Sequence, residues 1–178
     1  MPSNTVQVTI EGLSALLQHA FRPTPAGFEK MSPEDQAELC AYRMPEANEL
    51  YVPGINIQRC LVNAATFSKG KGRSSLQKIV AACVFVTPEY CGLGTTEYTV
   101  DSRSVVNPVT KGRIIRHRPR LDSWQTTFTL QYDPTLLTAA QLRQVVDDAG
   151  SRVGLGDFRP EKKGMFGRFQ VTHWVENR

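Results

Sequence analysis

Thr127-Phe-Thr-Leu-Gln-Tyr-Asp-Pro-Thr-Leu-Leu-Thr-Ala-Ala-Gln-Leu-Arg-Gln-Val-Val-Asp-Asp-Ala-Gly150 is the stretch whose reading decides the fold. Thr127 to Tyr132 reads as a strand, halted by Asp133-Pro134. Thr138 and Gln141 then match a capping box, in which each side chain satisfies the other residue's backbone N–H. Leu142, Val145, Val146 and Ala149 fall on one helical face, and Gly150 supplies the C-terminal stop. After a glycine-rich loop, Val171, His173 and Val175 alternate as a closing strand, which places His173 on the core side with the two valines.

The same order recurs upstream. Val6, Val8 and Ile10 alternate with Gln7, Thr9 and Glu11 in a half-buried strand that Gly12 ends. Ile57, Cys60, Leu61, Ala64 and Ala65 recur at helical spacing behind Asn56 as the N-cap, and the β-branched run from Lys78 to Val86 fits a central strand. Without the intervening segments the order is strand, helix, strand, strand, helix, strand. That is the ferredoxin-like (βαββαβ) arrangement of an α+β protein, the RRM-like split βαβ, with both helices on one face of four antiparallel strands.

Residues 1–178 are therefore expected to form a single domain carrying two insertions and a C-terminal glycine-rich loop. In the first, residues 23–49, Ser32-Pro33-Glu34-Asp35 starts a short surface helix, because Ser accepts a backbone N–H bond and Pro fits the first turn. Leu50 to Val52 is a brief extended piece running into a turn at Pro53-Gly54. The second, residues 90–124, is a long β-hairpin insertion projecting from the core, with turns at Cys91-Gly92 and Asn107-Pro108.

The composition is ordinary for a globular chain, 40% hydrophobic and 21% charged, and 178 residues can bury roughly two thirds of the unfolded surface. The longest uncharged apolar run, Ile79 to Thr87, is about half of a bilayer crossing, and no basic-then-apolar leader opens the chain. No membrane association is expected, and the bacterial cytoplasm is the expected site. The four cysteines are widely spaced without a Cys-x-x-Cys pair, which argues against zinc; Cys60 and Cys83 read as small buried hydrophobes. Neither a metal nor another cofactor is indicated.

Net charge is +4. Its distribution says more: Lys69, Lys71 and Arg73 form one basic stretch, Lys111 to Arg120 a second and Arg152 to Arg168 a third, while Glu29 to Glu49 is largely acidic. A polyanion-binding face produces such an asymmetry. In the glycine-rich loop, Gly154, Gly156, Gly164 and Gly167 would admit a ligand close to the backbone, with Arg159, Lys162, Lys163 and Arg168 supplying charge. The spacing fits neither a Walker loop nor a dinucleotide fingerprint. A tight connection whose glycines serve only backbone geometry remains the alternative.

If Arg113 to Arg120 is extended, Arg116, Arg118 and Arg120 project to one side and could follow a phosphate backbone; an edge strand guarded by charge is the alternative. Phe158 and Phe166, inside the loop, are the aromatic candidates for stacking on bases, whereas Trp124 and Phe169 suit a core. Evidence for catalysis is thin. His19, His117 and His173 are scattered; His19 is the weak candidate for a general base, and His117, among arginines, suits a phosphate contact.

Two segments resemble a known superfamily. Leu50-Tyr-Val-Pro-Gly-Ile-Asn-Ile-Gln-Arg-Cys-Leu61 is similar to the Tyr-Ile-Pro-Gly-Ser-Ser turn that opens the first helix of RAMP proteins, the RNA-binding subunits of CRISPR effector complexes. Val153 to Val171 resembles their C-terminal glycine-rich loop, and Gly154 to Phe169 is also similar to the ending of small bacteriophage and prophage proteins. The family's lysine is missing from the first motif, with Arg59 displaced by one position. The resemblance implies an RNA-recognition fold with a basic face and head-to-tail homo-oligomers.

The expected function is non-catalytic binding of single-stranded RNA or DNA by a phage- or prophage-encoded protein. The alternative is a counter-defence protein that sequesters a nucleotide-like anion or docks on a host complex. A metal-independent endoribonuclease of the RAMP kind is the third.

Overall fold

The alternation in the first strand and the capped helix of the second half do organise the chain. The computed structural model describes residues 3–70, 74–107 and 109–177. In chain order the strands are β1 (Asn4–Gly12), β2 (Leu16–Leu17), β3 (Tyr51–Pro53), β4 (Val84–Thr87), β5 (Tyr90–Gly92), β6 (Thr99–Val106), β7 (Arg113–Leu121), β8 (Gln125–Tyr132) and β9 (Phe169–Asn177). The helices are α1 (Pro33–Cys40), α2 (Gly54–Ala64), α3 (Gln77–Cys83) and α4 (Ala139–Asp148).

The principal sheet runs β4-β8-β1-β9, antiparallel throughout, which is the ferredoxin-like order. Ile57, Cys60 and Leu61 of α2 and Leu142, Val145 and Val146 of α4 bury against Val6, Val8, Ile10, Phe128 and Leu130 in one cluster. At ~25 cal/mol per Å² of apolar surface removed from water, this cluster is the main stabilising term. Thr138 and Gln141 make both halves of the capping box, and Ser32 accepts the Asp35 amide at the start of α1. The opposite face of the sheet carries the other half of the alternation: Gln7, Glu11, Gln125, Thr127 and Gln131 are exposed.

The two inserted segments pack together. β2, β7 and β6 form a three-stranded sheet, α1 lies against β7 and β6, and β3 pairs with β5. The β6–β7 hairpin therefore does not project freely, and Leu121 belongs to the main core. Nor is α1 wholly a surface helix, since Gln36, Ala37 and Cys40 are buried. All four cysteines are buried and free.

Several local expectations need correction. The run from Lys78 is a helix until Cys83, because Leu76, Val80 and Cys83 bury at helical spacing; only Val84–Thr87 is extended, and it lies at the sheet edge. Cys91-Gly92 sits in strand β5 rather than in a turn. Asn107 does organise the hairpin turn: its backbone N–H donates to the Gly112 carbonyl and its side-chain oxygen accepts the Val109 amide.

The second helix starts at Gly54, not behind Asn56. Gly150 does not stop α4: the chain continues through a π-turn, Ala149–Val153, and leaves at Gly154 with φ 76°. A Cβ on Gly150 would overlap the Phe169 carbonyl, so this glycine serves close packing. Finally, a bulge between Thr9 and Ile10 in the β1–β9 ladder makes Thr172 the extra residue. Val171 stays with the core, whereas His173 and Val175 turn to the open face and are exposed, contrary to the simple alternation.

Candidate nucleic-acid interface

A hollow of about 330 Å³ opens between α2 and the connection from α4 to β9, lined among others by His19, Tyr42, Asn56, Arg59, Asn63, Asp157 and Arg159. The helix and the connection are sewn together at its base, where the Cys60 thiol donates to the Gly154 carbonyl at 3.3 Å. Burial pushes that thiol up to about 12. β2 holds the other side of the connection, with the Asp157 amide donating to Leu17 O and the Gly167 amide to Ala15 O.

Asp157 is the pivot. Its Oδ2 lies 3.1 Å from His19 Nδ1 and 3.1 Å from Arg118 Nη1. Burial pushes the carboxyl up, but the His19 hydrogen bond, the Arg118 charge and the Phe158 amide outweigh it and hold its pKa near 2. An ionised carboxylate only accepts, so Nδ1 of His19 carries the proton toward it, and in the neutral ring Nε2 keeps its lone pair. Arg118 is 5% exposed and its Nε has no partner among the described residues.

The structure separates the residues expected to bind. On β7, Arg116, Arg118 and Arg120 do share a face, but only Arg116 is without an acidic partner among the described residues. Arg118 is sealed against Asp157, and Arg120 pairs with Asp122 and Asp101 while its guanidinium lies over the Phe166 ring. Phe166 is buried between the hairpin and the connection, with Arg103 stacked on it at 4.6 Å, so it cannot receive a base. Phe158 is 40% exposed and packs 6.0 Å from Phe166.

Of the four glycines only Gly156 leaves its amide without a partner among the described residues, so they do not present a cradle of free amides. Gly154, Leu155, Asp157, Gly164, Phe166 and Gly167 all donate their N–H groups within the protein. A Cβ on Gly156 would overlap Leu17 O, on Gly164 Phe158 O and on Gly167 Leu155 O. Their small size lets the chain pack against itself.

Among the loop cations, Arg159 lines the hollow but pairs with Glu161 and donates to Gly156 O. Lys162, Lys163 and Arg168 are exposed but do not line it; Lys69 and Arg113 are exposed and also lie outside it. Lys71 and Arg73 fall outside the described residues. His117 bonds to Ser102 Oγ at 2.7 Å. Asp157, Asn56, Asn63 and Tyr42 escaped sequence reasoning. The only signal for Asp157 was its place in the Gly-Leu-Gly-Asp-Phe-Arg-Pro run, and its partner His19 lies 138 residues away.

No protein-family model matches the chain, and no curated protein matches its sequence. Among solved structures it is similar to a chain in the cryo-EM structure of Type III-B Cmr-beta bound to cognate target RNA. The TM-score is 0.61 at 12% identity, over 99% of this chain and 61% of that chain. The likeness is one of fold, and the match spans less than two thirds of the other chain's length.

Proposed function

We propose that this protein binds single-stranded nucleic acid, RNA or DNA, in the hollow between α2 and the glycine-rich connection. The observation that carries the reading is Arg59: an exposed guanidinium on the hollow's wall, with no acidic partner among the described residues, beside the unpaired amide side chain of Asn56; the Asn63 amide already donates to Glu161 Oε1. A cation free of internal pairing is available to a phosphate, and amide groups can pair with base or sugar edges. The RAMP-like motifs and the fold shared with a chain from an RNA-bound assembly support the same ligand class.

The test is binding of a labelled dodecauridylate or dodecathymidylate as a function of salt. Because Arg118 and Arg120 are neutralised internally, about two or three phosphates are in play, and log K should fall with log salt at a slope of roughly −1.5 to −2. No binding at low salt would refute the reading. Stabilisation by a mononucleotide or cyclic oligonucleotide without oligomer binding would replace it with nucleotide sequestration, the counter-defence role.

The placement of His19, its Nδ1 3.1 Å from the Asp157 carboxylate in the wall of the hollow, favours a second reading as a metal-independent endoribonuclease. Nε2 would take the proton from a 2′-hydroxyl as its oxygen attacks the adjacent phosphorus and the 5′-oxygen leaves with a proton from water. Cleavage of the same dodecauridylate, lost in His19→Ala, would establish it; an intact oligomer would exclude it.

A further inference from the structure

Phe21 is 97% exposed, more than any other large apolar side chain among the described residues, and it stands where two hollows meet. The hollow described above shares His19 and Phe21 with a second of about 330 Å³. The second shares Phe28 and Arg116 with a third of about 570 Å³, which reaches His117 on β7. The three adjoin through these shared residues, and we read them as one trench; Arg59 lines the first and Arg116 the second and third, neither paired with an acidic side chain among the described residues.

We infer that a single strand lies along this trench, its phosphates at Arg59 and Arg116 and one unpaired base stacked on Phe21. The inference rests on the nucleic-acid reading above and adds its course and its anchor. An aromatic ring in water does nothing for folding, yet its face offers a base the contact that an unstacked nucleotide loses when it leaves its neighbours. Cation, ring and cation in succession match the phosphate, base and phosphate of a strand. Every base has a π-face, so the site is tolerant of sequence. The charged end groups set the salt dependence, while the ring contributes a salt-independent part of the affinity.

The experiment uses Phe21→Ala and Phe21→Trp with dodecauridylate and dodecathymidylate. Because the side chain is almost wholly in water, neither variant disturbs the fold. Phe21→Ala should weaken binding about tenfold with the salt slope unchanged. Phe21→Trp should bind as tightly as the parent and show fluorescence quenching on saturation beyond that of the two native tryptophans. Parental affinity in Phe21→Ala, or an unquenched new tryptophan, would overturn the trench and leave nucleic-acid binding standing. Failure of the parent protein itself to bind either oligomer would remove the reading beneath it.

Discussion

Between Gly154 and Gly167 most backbone donors are committed to the protein itself, those of Gly156, Arg159 and Met165 being exceptions among the described residues, whereas across the hollow the side chains of Asn56 and Arg59 of α2 have no hydrogen-bond or ion-pair partner among the described residues. The two walls differ in chemistry as well as in occupancy. The glycine-rich wall is a solution to a packing problem: three layers of chain, from β2, the connection and the start of β9, must pass within backbone contact. The helical wall has no such constraint, because its apolar stripe is already buried and the residues between project outward. Glycine and positive charge in one loop therefore mark close approach of the chain to itself as readily as approach of a ligand.

The largest effect that would break this comparison comes from the glycines. Gly167 has φ 69° and a Cβ there would overlap Leu155 O; Gly27 has φ 79° with nothing within 4 Å. Gly167→Ala should combine left-handed strain with overpacking, on the order of 4 kcal/mol, and lower the melting temperature by about 10 °C. Gly27→Ala should cost only about 1 kcal/mol from backbone strain. Thermal denaturation of both variants decides: equal, mild losses would show an open connection and restore it as a ligand cradle.

Arg118 comes next, since it fixes the connection to the hairpin. Arg118→Met leaves Asp157 with His19 and the Phe158 amide and should cost about 2 kcal/mol at pH 7, below the ~3–5 kcal/mol of a fully buried pair because Asp157 is one-third exposed. The pH dependence has a definite sign. A carboxyl lowered from 3.8 to about 2 contributes stability that is complete above about pH 4 and is lost as pH falls through about 2. Urea titrations of the parent between pH 5 and 2 should show a loss on the order of 1 kcal/mol from this group, and a smaller one in the variant, where the His19 hydrogen bond and the Phe158 amide remain. An unchanged slope in Arg118→Met would mean that the arginine does not hold the carboxylate ionised.

What the sequence shows of this molecule divides along the same line. Local signals were readable: the Thr138–Gln141 capping box, the alternation of Val6, Val8 and Ile10, and the Ser32 cap all form as their chemistry requires. The ferredoxin-like order follows from them. Signals that depend on a partner distant in sequence were not. The bulge that turns His173 outward is set by the register against β1, and the helix from Gln77 is set by burial of Val80 and Cys83. The site suffers most, because whether an arginine is free depends on its acids. Asp101 and Asp122 engage Arg120, and Asp157 engages Arg118, so three basic residues on one strand face leave one available.

The smallest effect sharpens the contrast between the two walls. Arg59→Ala removes one phosphate contact from the helical wall. It should weaken oligonucleotide binding about fivefold, near 1 kcal/mol, and reduce the salt slope by about 0.7, the increment for one phosphate of a single strand. Lys163→Ala and Arg168→Ala remove equal charge from exposed positions that do not line the hollow. They act only through the screened field of the surface, so their affinities should stay within a factor of about two of the parent's at 0.15 M salt. Fluorescence anisotropy titrations at two salt concentrations measure both quantities. If the loop variants lose as much affinity and as much slope as Arg59→Ala, the strand follows the glycine-rich connection, and the helical wall is the bystander.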